Sequence, residues 1–310
     1  MIKAEGAKIL APAIQDNGAL VKLDISSNYK SLETPNSNPS QGSEDFIRPI
    51  ACMLKTNRTI KEINLAGNNL NAEAGRIFSQ DIHDNGALAK LDLSKNYSGV
   101  SWESKDFIRP IASMLKTNKT IKELNLAGNK LDAEAARIFS QDIQDNGALA
   151  SLTFCGNGGF QGTEGDPVTI NTTITEANFS DKKLGPAGAQ ILAAFIERKF
   201  FQDNGALAKL DLSGNNEYDF YSPDFIRPIA TMLNKTNTSL KELNLAGNKL
   251  NAEAARIFSQ DIQDNGALVF LTMHKYKLPF KEIKTAKELD LSNKELAAID
   301  AIVIAALIEV

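Results

Sequence analysis

The chain has 310 residues, 43% hydrophobic and 23% charged, which is enough apolar material for an extended core. A net charge of −4 leaves no broad basic field to neutralise phosphates, so nucleic acid is excluded as a partner. Two cysteines, Cys52 and Cys155, make neither a disulfide framework nor a thiolate metal site, and they point to a reducing, cytoplasmic setting.

The opening stretch "MIKAEGAKILAPAIQDNGAL" lacks the uninterrupted apolar core of a signal peptide, and residues 1–19 read as a partial first repeat helix. A unit then recurs, LxxLxLxxN followed by an amphipathic helix, with near-copies at 57–94, 118–150 and 237–271. Its central apolar residue falls at ten positions: Leu23, Ile63, Leu91, Leu124, Leu152, Ala177, Leu210, Leu243, Leu271 and Leu289. Two flavours alternate. The even flavour reads "KELNLAGN" and leads into "AEAARIFSQDI"; the odd flavour reads "AKLDLSGN" and leads, through a variable loop, into "DFIRPIATML".

Apolar residues at alternate positions predict a short strand with one buried face, and Ala136, Phe139 and Ile143 recur at helical spacing. Asn71, Asp132 and Asn251 are expected N-caps, and Ser222-Pro223 reads as a cap and first helical residue. Pro49, Pro110 and Pro228, one turn inside the odd helices, are expected to shorten or bend them. Gly86, Gly147, Gly205 and Gly266 each follow Asp-Asn and are expected to stop helices. Segments 155–173 and 275–286 carry too much Gly, or too few residues, for a normal helix and are expected to be irregular. The final run "LAAIDAIVIAALIEV" is interrupted by Asp300 and is too short for a bilayer, so no membrane partner is expected.

The stretches "LAKLDLSGN" and "IKELNLAGN" resemble leucine-rich repeats of the ribonuclease-inhibitor-like class, and the resemblance covers nearly the whole chain. It implies an α/β leucine-rich repeat solenoid, a horseshoe of about ten units forming a single domain over 1–310, with a parallel concave sheet and convex helices. The scaffold carries inhibitors, immune sensors, flagellar scaffolds and GTPase-activating proteins, so the fold by itself does not choose among them. The family's inhibitors are rich in cysteine, whereas this chain holds two.

The internal copies serve as a control on what the scaffold demands. Asn68, Asn96, Asn129, Asn215 and Asn248 are expected inside the turn, bonding backbone groups left over where strand becomes loop. His83 stands where the copies have Gln144 and Gln263, so it reads as a surface position. No set of His and Cys has the spacing of a zinc site, no Ser-His-Asp constellation can be built, and no cofactor is expected. "CGNGGFQGTEGD" looks like a phosphate loop but lacks the third fingerprint glycine, a following helix and Gly-Lys-Ser/Thr; it reads as a loop replacing a lost helix. Arg48, Arg109 and Arg227 recur at one helical position and read as scaffold rather than as arginine fingers.

Along the outward strand positions, one column alternates Lys22, Glu62, Lys90 and Glu123, then Glu176, Lys209 and Glu242, and predicts a ladder of cross-strand ion pairs. Variation gathers in the loops after the odd strands. Even-to-odd spacing is 28 residues in three of four cases, whereas odd-to-even spacing runs from 18 to 40. Those loops and the last sheet positions hold the expected partner-binding residues Tyr29, Tyr97, Trp102, Phe160, Tyr218, Phe220, Tyr221, Phe270, His274 and Tyr276. The alternative role for these rings is to fold back and fill gaps between loop and solenoid. The function expected is non-enzymatic: a cytoplasmic interaction module or scaffold that binds a protein through strand-to-helix loops and the concave face. Two other readings are a GTPase-activating accessory protein and a structural segment of a larger assembly with end-to-end self-association.

Overall fold

The computed structural model describes residues 1–29, 42–96, 104–159, 163–198, 207–217, 222–234 and 238–308. Two compact units, Met1–Cys155 and Gly156–Val310, are described in turn.

The first unit runs α1 Lys3–Gln15, β1 Lys22–Asp24, α2 Ser43–Thr56, β2 Glu62–Asn64, α3 Ala72–Ile82, β3 Lys90–Asp92, α4 Ser104–Thr117, β4 Glu123–Asn125, α5 Ala133–Ile143 and β5 Ser151–Phe154. Strands β1 to β5 pair in order and in parallel, with Leu23, Ile63, Leu91, Leu124 and Leu152 in one register line. The helices pack side by side in the same order, giving the expected α/β solenoid. Its core is the leucine line plus the inner helix faces, such as Phe46, Ile47 and Ile50 of α2 and Ile77, Phe78 and Ile82 of α3, all buried.

The second unit runs β6 Val168–Asn171, β7 Glu176–Asn178, α6 Gly185–Glu197, β8 Lys209–Asp211, α7 Ser222–Leu233, β9 Glu242–Asn244, α8 Ala252–Ile262, β10 Phe270–Thr272, β11 Lys277–Pro279, α9 Phe280–Ile283 and α10 Ala298–Ile308. Strands β7 to β10 are parallel, and β11 closes the β10 edge antiparallel. Leu289 lies in no strand and is 37% exposed, because β11 has taken the edge it would have paired with.

Buried asparagines hold the turns as expected. Asn68 accepts from the N–H groups of Asn28 and Tyr29 and donates to the carbonyls of Ile25 and Leu65, all within 3.0 Å. Asn248 does the same with the N–H groups of Asn215 and Asn216 and the carbonyls of Leu212 and Leu245. Each amide thus links its own turn to the preceding one, so the turn polar groups of successive repeats are satisfied jointly.

The expected glycine stops do not take the left-handed form, and a second asparagine series stands beside them. Gly86, Gly147 and Gly266 have no left-handed φ and nothing near their Cβ positions. The preceding Asn85, Asn146 and Asn265 instead tie neighbouring repeats together: each donates to a carbonyl near the end of the helix one repeat earlier, at Leu54, Leu115 and Leu233, and accepts from two N–H groups downstream. Gly205 lies outside the described residues. The prolines do not shorten their helices. The odd helices continue through Pro49, Pro110 and Pro228 for 12 to 14 residues, against 11 in α3, α5 and α8. Each proline forfeits one backbone bond, and the densely buried face of each helix outweighs it.

N-caps form at Asn71, Asp132 and Asn251, whose side chains accept from Ala74, Ala135 and Ala254 N–H at 2.8 to 2.9 Å. Ser222 opens α7, and its hydroxyl accepts from the Asn251 N–H at 3.2 Å. The glycine-rich segment packs backbone to backbone on the turn before α6. Asn157 N–H donates to the Leu184 carbonyl, Gly158 N–H to that of Lys183, and a Cβ on Gly156 would sit 2.0 Å from the Leu184 oxygen. The Asn157 side chain accepts from Ala187 N–H at 3.0 Å, so it caps α6 with a group from its own chain where the phosphate reading would put an anion.

Candidate functional site

The outward face of each sheet is built by register. In the first unit Lys22, Glu62, Lys90 and Glu123 stand side by side, with Lys22–Glu62 at 3.3 Å and Lys90–Glu123 at 2.9 Å. The Glu123 contact holds the Lys90 ammonium above its usual pKa, first by hydrogen bond and then by charge. The next column couples alternate strands: Asn64, Asn125 and Asn244 each donate to the aspartate of the strand before, Asp24, Asp92 and Asp211, at 3.0 Å. Ser26 N–H and hydroxyl hold the Asp24 carboxyl below the usual range against a smaller effect of burial, and Asn64 adds a lesser contribution in their direction. Lys90 and Glu123 remain half exposed, at 50% and 53%. Lys90→Ala is therefore expected to change the unfolding free energy by less than about 1 kcal/mol in urea denaturation, since water screens such a pair.

The second unit's face departs from this pattern at one end. Glu176–Lys209 closes at 3.1 Å, but the next odd strand places Phe270 where a lysine is due. The missing charge arrives from the antiparallel strand: Lys277 lies over the Phe270 ring at 4.1 Å and reaches Glu242 at 2.9 Å. A groove of about 400 Å³ runs along this face, floored by Asn178, Asp211, Asn244 and Thr272, with Phe270 at its end. Its volume falls in the range of ligand pockets, and its walls offer both charges, amides and one aromatic ring.

Of the residues expected to bind a partner, Phe270 alone lines this groove among the described residues. Tyr29 is buried, 9% exposed, with its ring 5.6 Å from Phe46, and takes the packing role of the two considered. His274 is exposed just beyond β10, and Tyr276 is half-buried beneath the Lys294 ammonium at 5.3 Å. Tyr97, Trp102, Phe160, Tyr218, Phe220 and Tyr221 lie outside the described residues. Lys277 was missed by sequence reasoning. Its signal was the short alternation "KYKLP", whose proline suits only a sheet edge.

His83 and two of the recurring arginines make local contacts. His83 bridges Asp84 and Thr117 at 2.8 Å, and Arg48 and Arg109 are exposed on helix faces where their charge favours the carboxylates of Glu73 and Glu134. Among the described residues no group of His, Cys, Asp and Glu could hold a metal ion, and no helix is long and apolar enough to cross a membrane.

Comparison with known proteins agrees with this construction. The leucine-rich repeat family matches at 56–76, 117–137 and 236–256, each spanning an even strand and the start of its helix. The ribonuclease inhibitor of Mus musculus is 25% identical over 282 residues, 84% of this chain. The chain thus carries leucine-rich repeats and is similar to ribonuclease inhibitors. That of Sus scrofa is 25% identical over 219 residues, 69% of this leucine-rich repeat chain. The chain spans 59% and 45% of the lengths of these two curated relatives.

Proposed function

We propose that this leucine-rich repeat chain is a non-enzymatic interaction module of the cytosol that binds a protein partner through the sheet face of its second unit and its strand-to-helix loops. The observation that carries this reading is the groove ending at Phe270 and Lys277, where an otherwise self-satisfied ladder gives way to an aromatic ring under a cation. Aromatic residues beside charged groups are the usual anchors of protein interfaces. The curated relatives support the class of activity, since their name is that of an inhibitor acting on a ribonuclease. The loops bearing Trp102 and Tyr218 to Tyr221 supply further anchors, because uncopied aromatic loops on a copied scaffold answer to something other than the repeat.

A photo-crosslinking phenylalanine analogue placed at Phe270, at Trp102 and, as a control, at Glu62 tests the reading in cells. Discrete protein adducts are expected at the first two positions and not at the third. Once the adduct is identified, Trp102→Ala with Tyr221→Ala is expected to weaken its binding at least about tenfold while leaving the melting transition in place. Adducts equal at all three sites, or none, would reject the proposed surface.

A further inference from the structure

Asp300 sits in the first turn of α10 and is 0% exposed. Its Oδ2 accepts from Ala297 N–H at 2.8 Å, whereas its Oδ1 has no hydrogen-bond partner among the described residues. A first-turn acid is ordinarily solvated and favoured by the helix dipole. Capping therefore accounts for one oxygen, and it explains neither the burial nor the second oxygen.

The surroundings form a grip on this helix. The turn after β10 reaches across to the segment before α10, with Lys275 pairing to Glu295 at 2.9 Å and Tyr276 under Lys294. Val303, Ile304 and Leu307 bury the helix against α8, whose C-cap Gln263 donates to the Ala306 carbonyl at 3.4 Å. His274, in the same turn, is the charged group that acts on Asp300. Lys284, at the end of α9, is held instead by the carbonyls of Gln263 and Asn265.

We propose that Asp300 makes the docking of α10 on α8 a proton-operated latch, shut hardest when its carboxyl is protonated. A protonated carboxyl would keep the bond from Ala297 and carry no charge into the buried site; a carboxylate there leaves one oxygen desolvated and unbonded. Burial accordingly raises the Asp300 pKa above its ordinary 3.8, against weaker opposition from the Ala297 N–H and the His274 charge. The sign follows by linkage. The stabilisation is complete below about 3.8, the value of the undocked carboxyl, and is lost as pH rises through the higher docked value. At neutral pH the latch is at its weakest.

Hydrogen exchange of residues 298–308 in the full chain, corrected for intrinsic rates and followed from about pH 3.5 to about pH 8, tests this. Wild-type protection is expected to fall as pH rises. Asp300→Asn keeps an acceptor for Ala297 and loses the charge, so its protection should be flat with pH and, at the upper end, about tenfold greater for each unit of displacement. His274→Ala should move the wild-type fall to higher pH, and Lys275→Ala should lower protection at every pH without moving it. Flat wild-type protection, or an Asp300→Asn chain no better protected than wild type at the upper end, would overturn the proposal. If Asp300→Asn fails to fold, an unmoved profile in His274→Ala overturns it equally.

Discussion

Asn96→Ala is expected to cost about 4 kcal/mol of stability, among the largest single-site losses in the chain. The Asn96 amide is 1% exposed; it donates to the carbonyls of Leu65 and Leu93 and accepts from the N–H groups of Asn68 and Leu70. Alanine would strand these backbone groups in the core of the turn stack, where each lost partner costs about 1–3 kcal/mol. The outward Asn64, whose side-chain amide donates to Asp24 at 3.0 Å in a half-buried position, is the matched control, and its alanine variant should lose about 1 kcal/mol. Urea denaturation of both variants decides the matter: equal losses would show that the turn ladder is not where the repeats draw their cohesion.

Gly156→Ala is expected to be the most damaging glycine substitution. Its Cβ would lie 2.0 Å from the Leu184 oxygen and 2.3 Å from the Leu184 Cα, both backbone atoms that cannot swing aside. Overpacking of this kind costs about 3 kcal/mol or more, and here it also pulls Asn157 away from its cap on α6. Gly86→Ala, with nothing within 4 Å of the new atom, should instead be neutral or stabilising by about 0.5 kcal/mol through the unfolded chain. Thermal melts followed by circular dichroism separate the two. Similar melting temperatures would contradict the backbone contact between the glycine-rich segment and the α6 turn.

Much of the framework was legible because the repeats copy both pattern and chemistry. The leucine register, the turn asparagines, the N-caps at Asn71, Asp132 and Asn251, and the lysine-glutamate alternation each recur, and each has one physical use wherever it recurs. The glycine stops departed from expectation for an instructive reason. Asp-Asn-Gly repeats as a block, and glycine is the commoner stop; the glycines' lack of a left-handed φ, and the reach of each asparagine to a helix one repeat earlier at Leu54, Leu115 and Leu233, depend on the folded backbone. The groove was half legible. Phe270 stands out in its column, but Lys277 occupies a lysine's place in the ladder only because its strand runs the other way.

The sequence by itself determined the repeating unit, its buried and outward columns, and the confinement of variation to one set of loops, because all of these are periodic and local. Only tertiary structure decided what happens where the period breaks: that residues 277–279 turn back to close the sheet, that Asn157 caps α6, and that Asp300 is carried out of water. Those outcomes depend on which distant backbone is left unpaired beside each residue, and no column of repeats records that.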